Sequence, residues 1–230
     1  MNDKRKAPRA EHDSVLDWVL HEMAGPLTAI SGYADIAADP GSPPEDVAGA
    51  IEVIRQESGR LLRLTEEIRS MARITGGKPV RVNLSRFDLA ELCKGALAVQ
   101  KLAYPGYGYV LRAEGPAMVT ADRDKTMEIA LNLLANSAKY SRSGSEIILS
   151  AGREGDRGIL RVEDRGCGIA EDDLERIFSL GKRLDSGLHT DGRGIGLFLV
   201  KTLAEAMNGS IEVKSRPGEG SRFTVSLPLC

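Results

Sequence analysis

Apolar and small residues recur at Leu16, Leu20, Met23, Leu27, Ile30, Ala34 and Ala37, in steps that alternate four and three. That is the heptad spacing of a helix seam buried against other helices. It predicts a helix from Ser14, capped by the Ser14/Asp17 pair, to about Ala38, where AADPGSPP supplies the breakers. Ser42 ahead of Pro43, Pro44 and Glu45 reads as a second cap. Val47, Ile51, Ile54, Ser58, Leu61, Thr65 and Ile68 then repeat the alternation to about Ile74. Two such helices joined by a short loop form an antiparallel hairpin. A single hairpin leaves its far side wet, so a second copy is expected to complete a four-helix bundle, a homodimer through residues 14–74. The alternative is a hairpin packed on the rest of its own chain. Residues 1–13 lack periodicity and read as a flexible N-terminus, 14–75 as the helical module, and 76–82, with Gly76, Gly77 and Pro79, as a linker.

Beyond the linker the period changes. VRVNLSRFDL reads as an edge strand, LAELCKGALAVQKLA as a helix, and YGYVLRAEG and AMVTAD as short strands. ADRDKTMEIALNLLANSAKYS is a strong helix with Asp122 near its start and an apolar face through Met127, Leu131 and Leu134. SEIILSAGREG and GILRVEDRG alternate as strands, and SIEVKSRPGEGSRFTVSLP is a hairpin turning at PGEG. Residues 83–230 are therefore expected to fold as an α+β sandwich, one mixed sheet covered on one face by helices.

At 230 residues the chain suits two small modules. Lys+Arg 31 against Asp+Glu 33 gives no polyanion-binding surface, so nucleic acid is not an expected partner. No run approaches the ~20 apolar residues of a membrane span, and the basic start has no apolar run after it. Cys93, Cys167 and Cys230 are odd in number and far apart, which fits reduced thiols and a cytoplasmic protein. With only His12, His21 and His189, a zinc site is not expected.

His21 sits one position past the seam residue Leu20, on the flank of the stripe and beside Glu22. Pro26 withholds the N–H that the Glu22 carbonyl needs, which predicts a bend one turn later. Glu128, Asn132 and Asn136, spaced by four, share a helix face whose oxygens suit a hard cation such as magnesium. On spacing alone the same face is also an ordinary solvated one. Asp164 ends a strand beside Gly166 and Gly168, where a carboxylate can accept from the exocyclic amine of a purine. Gly192, Gly194 and Gly196 precede a helix over Leu197 to Met207, the arrangement that offers free N–H groups to phosphate. The aperiodic stretch before them reads as a lid, with Lys182 or Arg183 as candidates for a terminal phosphate. Gly218 and Gly220 read as shaping the last turn, and Cys167 as a small filler residue in its glycine motif.

The order LHEMAGPLTAI, NLLANSAKYS, EDRGCGI, RIFSLGKR and GRGIGL resembles the histidine, asparagine, first glycine, phenylalanine and second glycine boxes of the sensor histidine kinases of two-component signalling. The resemblance runs from about Ser14 to Pro228. It implies a dimerisation and phosphotransfer hairpin followed by a Bergerat (GHKL-type) ATP-binding sandwich. His21 would accept the γ-phosphoryl group of ATP and pass it to an aspartate of a response-regulator receiver domain, with Glu22 as the acid or base beside it. Asn136 and Asn132 would hold Mg2+ and phosphates, with Glu128 as an extension of that face. Lys139 and Tyr140 would contact phosphate or flank the nucleotide, Asp164 would read adenine, and Gly166, Gly168, Gly192, Gly194 and Gly196 would serve as hinge and phosphate-loop glycines.

Departures are equally specific. Ala24 and Gly25 replace a basic residue and the Thr or Asn tied to dephosphorylating the regulator, which leaves that reverse activity unsupported. The phenylalanine box keeps only Phe178. No sensor precedes the hairpin, so either this is the core of a longer kinase or its signal comes through a separate sensor or upstream partner. Competing readings are a histidine phosphotransfer adaptor with an inactive nucleotide module, and another ATPase or serine kinase of the same nucleotide fold.

Overall fold

A computed structural model of the chain describes residues 7–75, 80–179 and 195–230. They fall into two units, Met1–Ala72 and Arg73–Cys230. The three-and-four alternation of the first unit folds as two helices, α1 over Ala7–Ala38 and α2 over Pro44–Thr75. α1 begins seven positions before Ser14, which is therefore an interior residue and not a cap. Pro8 falls in its first turn, where a missing N–H does no harm, and nothing between it and Ser14 interrupts a helix. Ser42 also departs from expectation. Its hydroxyl donates back to the carbonyl of Ile36 at 2.8 Å, closing the end of α1 instead of capping α2. The turn is fixed by the N–H of Gly41 donating to Asp39 at 3.0 Å, and Glu45 and Asp46 lie in the first turn of α2, where the helix dipole favours them.

In this unit Pro26, Ala50 and Leu64 are buried. The predicted seams are buried only in part: Leu20 is 64% exposed, Leu27 49% and Ile51 55%, while Met23, Ile30, Ile54 and Leu61 are half-buried. A two-helix unit has only one internal face to bury, so half of a heptad stripe remains in water.

The second unit runs β1 (Leu84–Asp88), α3 (Leu89–Ala103), β2 (Gly108–Ala113), β3 (Met118–Asp122), α4 (Arg123–Tyr140), β4 (Glu146–Glu154) and β5 (Arg157–Asp164). Two short 3-10 turns follow, Glu171–Asp173 and Arg176–Phe178, then α5 (Gly196–Ala206), β6 (Ser210–Arg216) and β7 (Gly220–Pro228). The main sheet is five-stranded in the order β2-β4-β5-β7-β6, parallel only at β2–β4. Alternate residues, including Ile147, Leu149, Phe223, Val225 and Leu227, point into a core shared with Leu92, Ile129, Leu133, Leu199 and Leu203 of the helices. On the other side of the strands Arg222 pairs with Glu163 and Arg161 with Glu154, each at 2.7 Å.

One expectation is corrected here and another is widened. The first strand is not an edge of that sheet: β1 pairs with β3 in a separate antiparallel ladder. Its last residue, Asp88, caps α3 through the N–H of Ala90 at 3.0 Å and also accepts from Ala117 at 3.2 Å, so the chain turns into a helix where a longer strand would have continued. On α4 the deepest residues are Ile129, Ala130, Leu133, Leu134 and Ala138, while Met127 and Leu131 are half-buried. α4 packs between α3, α5 and the sheet, which widens its apolar face beyond a single stripe.

Asp122 fixes how the chain enters this unit. One carboxylate oxygen caps α4 through the N–H groups of Asp124 and Lys125, both at 3.1 Å, and the other accepts from Asn83 at 2.7 Å. Asp122→Ala removes a cap and orphans a partly buried N–H, an expected loss of about 2–4 kcal/mol. Urea denaturation followed by far-UV circular dichroism measures it, and a loss below about 1 kcal/mol would mean water replaces all three bonds.

Candidate functional site

Burial along α4 decides which of its polar groups face a ligand. Thr126, Ile129, Leu133 and Ser137 turn inward, which leaves Glu128, Asn132 and Asn136 on a half-buried flank. Asn132 donates its Nδ2 to the carbonyl of Glu128 at 2.9 Å, so its Oδ1 is the free-facing acceptor. A Cβ built on Gly196 would stand 3.1 Å from that Oδ1 and 3.8 Å from Nδ2 of Asn136. Two asparagine amides therefore face the first residue of α5, and glycine there keeps the gap between them open. The residue before it, Ile195, makes no side-chain cap. The first N–H groups of a helix lack intrahelical partners and attract anions. Backbone of the kind that attracts anions thus lies beside the Asn132 amide oxygen, a donor of the kind a hard cation takes.

One residue after Asn136, Ser137 points the other way. Its hydroxyl donates to Oδ2 of Asp164 at 3.0 Å, while Oδ1 of Asp164 accepts from the N–H groups of Gly166 at 2.9 Å and Ser221 at 3.2 Å. Burial pushes the Asp164 carboxyl above its ordinary range, against the lowering by those three bonds. Oδ2 keeps a lone pair for a further donor. The loop after β5 is clamped on both sides. The N–H of Cys167 donates to the Tyr140 carbonyl at 3.1 Å, and its carbonyl accepts from Gly218 at 2.7 Å. Gly168 has φ +69°, and a side chain on it would overlap the Arg216 carbonyl; Gly220, at φ +107°, would overlap the carbonyl of Asp164. The PGEG turn thus forms one wall of the Asp164 site, a larger part than turn-shaping alone. Burial raises the Cys167 thiol, which suits a filler and not a nucleophile.

The structure brings Asn132, Asn136, Asp164, Gly166, Gly168 and Gly196 together around α4, with Tyr140 supplying a carbonyl to the same loop. Lys139 and Tyr140 occupy the last turn of α4 and are half-buried. His21 and Glu22 lie on α1, in the first unit, with only their backbone described. Lys182, Arg183, Gly192 and Gly194 lie outside the described residues. Phe178 is joined by buried Ile177, so that box is anchored by two apolar residues packed on the core. Ser137 and Ser221 were not among the sequence candidates. Ser137 had a signal, a hydroxyl on the inward stripe of a helix. A groove of about 710 Å3 lined by Pro116, Met118, Arg157, Pro228 and Cys230 takes no part. Arg157 and Pro228 pair at the opposite end of the β5–β7 ladder from Asp164 and Ser221.

Two family descriptions match the chain: "Histidine kinase-, DNA gyrase B-, and HSP90-like ATPase" over residues 121–230, and "His Kinase A (phospho-acceptor) domain" over residues 15–77. The chain belongs to the sensor histidine kinase family. It is 32% identical over 214 residues to the sensor-like histidine kinase SenX3 of Mycolicibacterium smegmatis, covering 91% of this chain and 56% of that protein. It is 29% identical over 219 residues to the sensor protein SrrB of Staphylococcus aureus, covering 91% and 37%. The chain thus spans about half the length, or less, of these curated relatives. Among solved structures it is similar to full-length ShkA in complex with AMPPNP, with a TM-score of 0.70 and 25% identity over 95% of this chain and 46% of that one. The Acinetobacter baumannii histidine kinase AdeS shares the fold, at TM-score 0.68 and 24% identity over 91% and 98%. A helical hairpin followed by an α+β sandwich is the architecture of the family. No described helix is long and apolar enough to cross a membrane.

A raised carboxyl pKa means the fold favours the protonated form. The contribution of Asp164 to stability is then present at low pH and lost as pH rises through its folded pKa. Asp164→Asn keeps the shape and removes the buried charge. At pH 7 its melting temperature should equal or exceed that of the parent, while ATP affinity falls about tenfold or more, the loss of a charge-assisted hydrogen bond. Differential scanning and titration calorimetry check the two halves, and undiminished affinity would remove Asp164 from the nucleotide site.

Proposed function

We propose that this chain is an ATP-dependent protein histidine kinase that phosphorylates itself on His21 and passes the phosphoryl group to an aspartate of a response-regulator receiver domain, in the cytoplasm. The observation that carries the reading is the pair of half-sites built on one helix. Ser137 of α4 fixes Asp164, and Asn132 and Asn136 of the same helix face the start of α5. The family match over residues 15–77 supports an acceptor histidine in the first unit. One solved relative, similar at TM-score 0.70 and 18% identity over 97% of this chain and 64% of that one, is a histidine kinase in complex with a response regulator, which bears on the fold and suggests the partner class.

In this mechanism Asp164 accepts the amine of adenine, and the N–H groups at the start of α5, with Gly192 and Gly194 before it, cradle the phosphates. The oxygen donors fit a magnesium ion: Asn132 directs Oδ1 outward, Asn136 adjoins it, and Glu128 lies one turn back. When bound, the ion neutralises charge on the transferring phosphoryl group. Glu22 draws a proton from His21, so that a neutral ring nitrogen attacks the γ-phosphorus while ADP leaves. Lys182 or Arg183 supplies a cation to the terminal phosphate, and Lys139 and Tyr140 flank the nucleotide. Transfer requires His21 of the first unit to reach the γ-phosphoryl group held by the second.

We further infer a homodimer through residues 14–74, supported by the exposed seam residues Leu20, Leu27 and Ile51. The adaptor reading is disfavoured by the intact Asp164 cradle, which a dead nucleotide module has no need to keep.

Incubation with γ-labelled ATP should place acid-labile, base-stable phosphate on the parent and none on His21→Gln. Label that survives in His21→Gln, or none on the parent, overturns the kinase reading. Equilibrium sedimentation at micromolar concentration should return twice the chain mass, and a monomer there rejects the dimer.

A further inference from the structure

The two donors that grip Oδ1 of Asp164 come from different segments. Gly166 lies in the loop after β5, and Ser221 lies at the start of β7. One hydroxyl joins those segments. Oγ of Ser215, on β6, accepts from the N–H of Ile169 at 2.9 Å, donates to the carbonyl of Gly220 at 2.7 Å, and lies 2.9 Å from Oγ of Ser221. A hydroxyl has one proton and two lone pairs. With its proton given to Gly220, Ser215 takes the proton of Ser221, and all three of its positions are filled. Ser215 and Ser221 are also directly opposed in the β6–β7 ladder.

We propose that Ser215 is a positioning residue for adenine recognition: without touching the nucleotide, it locks the Gly166–Ile169 loop and the Gly220–Ser221 turn into the one spacing at which both can hold the Asp164 carboxylate. This rests on the reading of Asp164 given above. The carboxylate is buried against its own preference, so its orientation depends on those donors staying in place. Apart from the Asp164 carboxylate itself, half-buried Ser215 is the side chain among the described residues that bonds to both. Backbone pairing sets Ser221 opposite Asp164 in the β5–β7 ladder, and Gly218 donates to Cys167, but neither contact reaches Ile169, which Ser215 holds.

The readout is the preference for ATP over inosine triphosphate, which carries an oxygen where adenine carries its amine and so cannot donate to Asp164. Ser215→Ala should lower ATP affinity about three- to tenfold, the equivalent of one hydrogen bond, and leave inosine triphosphate affinity within about twofold. Ser215→Thr, which keeps the hydroxyl, should restore the preference. Asp164→Asn, measured alongside, should abolish it. Equal losses for the two nucleotides in Ser215→Ala, or no loss, overturn the role of Ser215 while a collapsed preference in Asp164→Asn keeps the adenine reading. A preference intact in Asp164→Asn overturns both.

Discussion

The second unit is arranged around one unfavourable act, the burial of the Asp164 carboxylate at the end of a strand. Water is replaced there by three donors from three elements: Ser137 on α4, Gly166 in the following loop and Ser221 on β7. Each donor must come close, and two of the approaches are made by backbone. That requirement explains glycines that look unrelated in the sequence. Gly168 and Gly220 are 52 positions apart by number, yet each has a positive φ and backbone carbonyl where a side chain would stand. The last hairpin is therefore part of the site, although it contributes no charged group to it.

In the proposed nucleotide site the same helix serves both ends through its period. Consecutive residues on a helix point about 100° apart, so Asn136 and Ser137 can face different partners from one turn. A rigid element that carries both contacts holds them at a fixed separation, which is what transfer by positioning and charge neutralisation needs. Asp122 anchors the start of this helix and the segment leading into β1 with one carboxylate, and Met207 accepts from the Asp122 N–H at 3.2 Å, which ties the end of α5 to the start of α4. The frame is tied at the opposite end of α4 from Asn136 and Ser137, so the face proposed for the ligand can stay polar and open.

Much of this was legible in residue order. The helix LAELCKGALAVQKLA, the strand ends at Asp164 and Pro228, and the carboxylate with its flanking glycines are local patterns, set by period and by steric exclusion. Three things were not. The start of α1 at Ala7 was hidden because a charged, aperiodic segment can still be helical when nothing breaks it. The pairing of β1 with β3 in a ladder of its own joins segments about 30 positions apart, with Asp88 bonding Ala117 29 positions away, and no local pattern encodes that. Ser215 and Ser221 were missed for the same reason, whereas Ser137 carried a signal of its own, a hydroxyl on the inward stripe of a helix. A serine is unremarked in sequence, and its meaning here comes from partners that only the sheet register brings within reach.

The hairpin poses the opposite problem, for its sequence says more than one chain can satisfy. Leucines at 64% and 49% exposure lie on a stripe with regular heptad spacing, and surface helices of an isolated pair do not need one. The second helix carries Ser58 and Thr65 on its own stripe, so the seam is not uniformly apolar. A seam of mixed polarity binds less tightly than one of leucines throughout, and it tolerates repacking with smaller loss. In the proposed dimer, whose histidine has to meet a nucleotide unit and then a receiver domain, a seam that holds two copies together yet permits repacking would meet both demands, and a uniformly apolar one only the first.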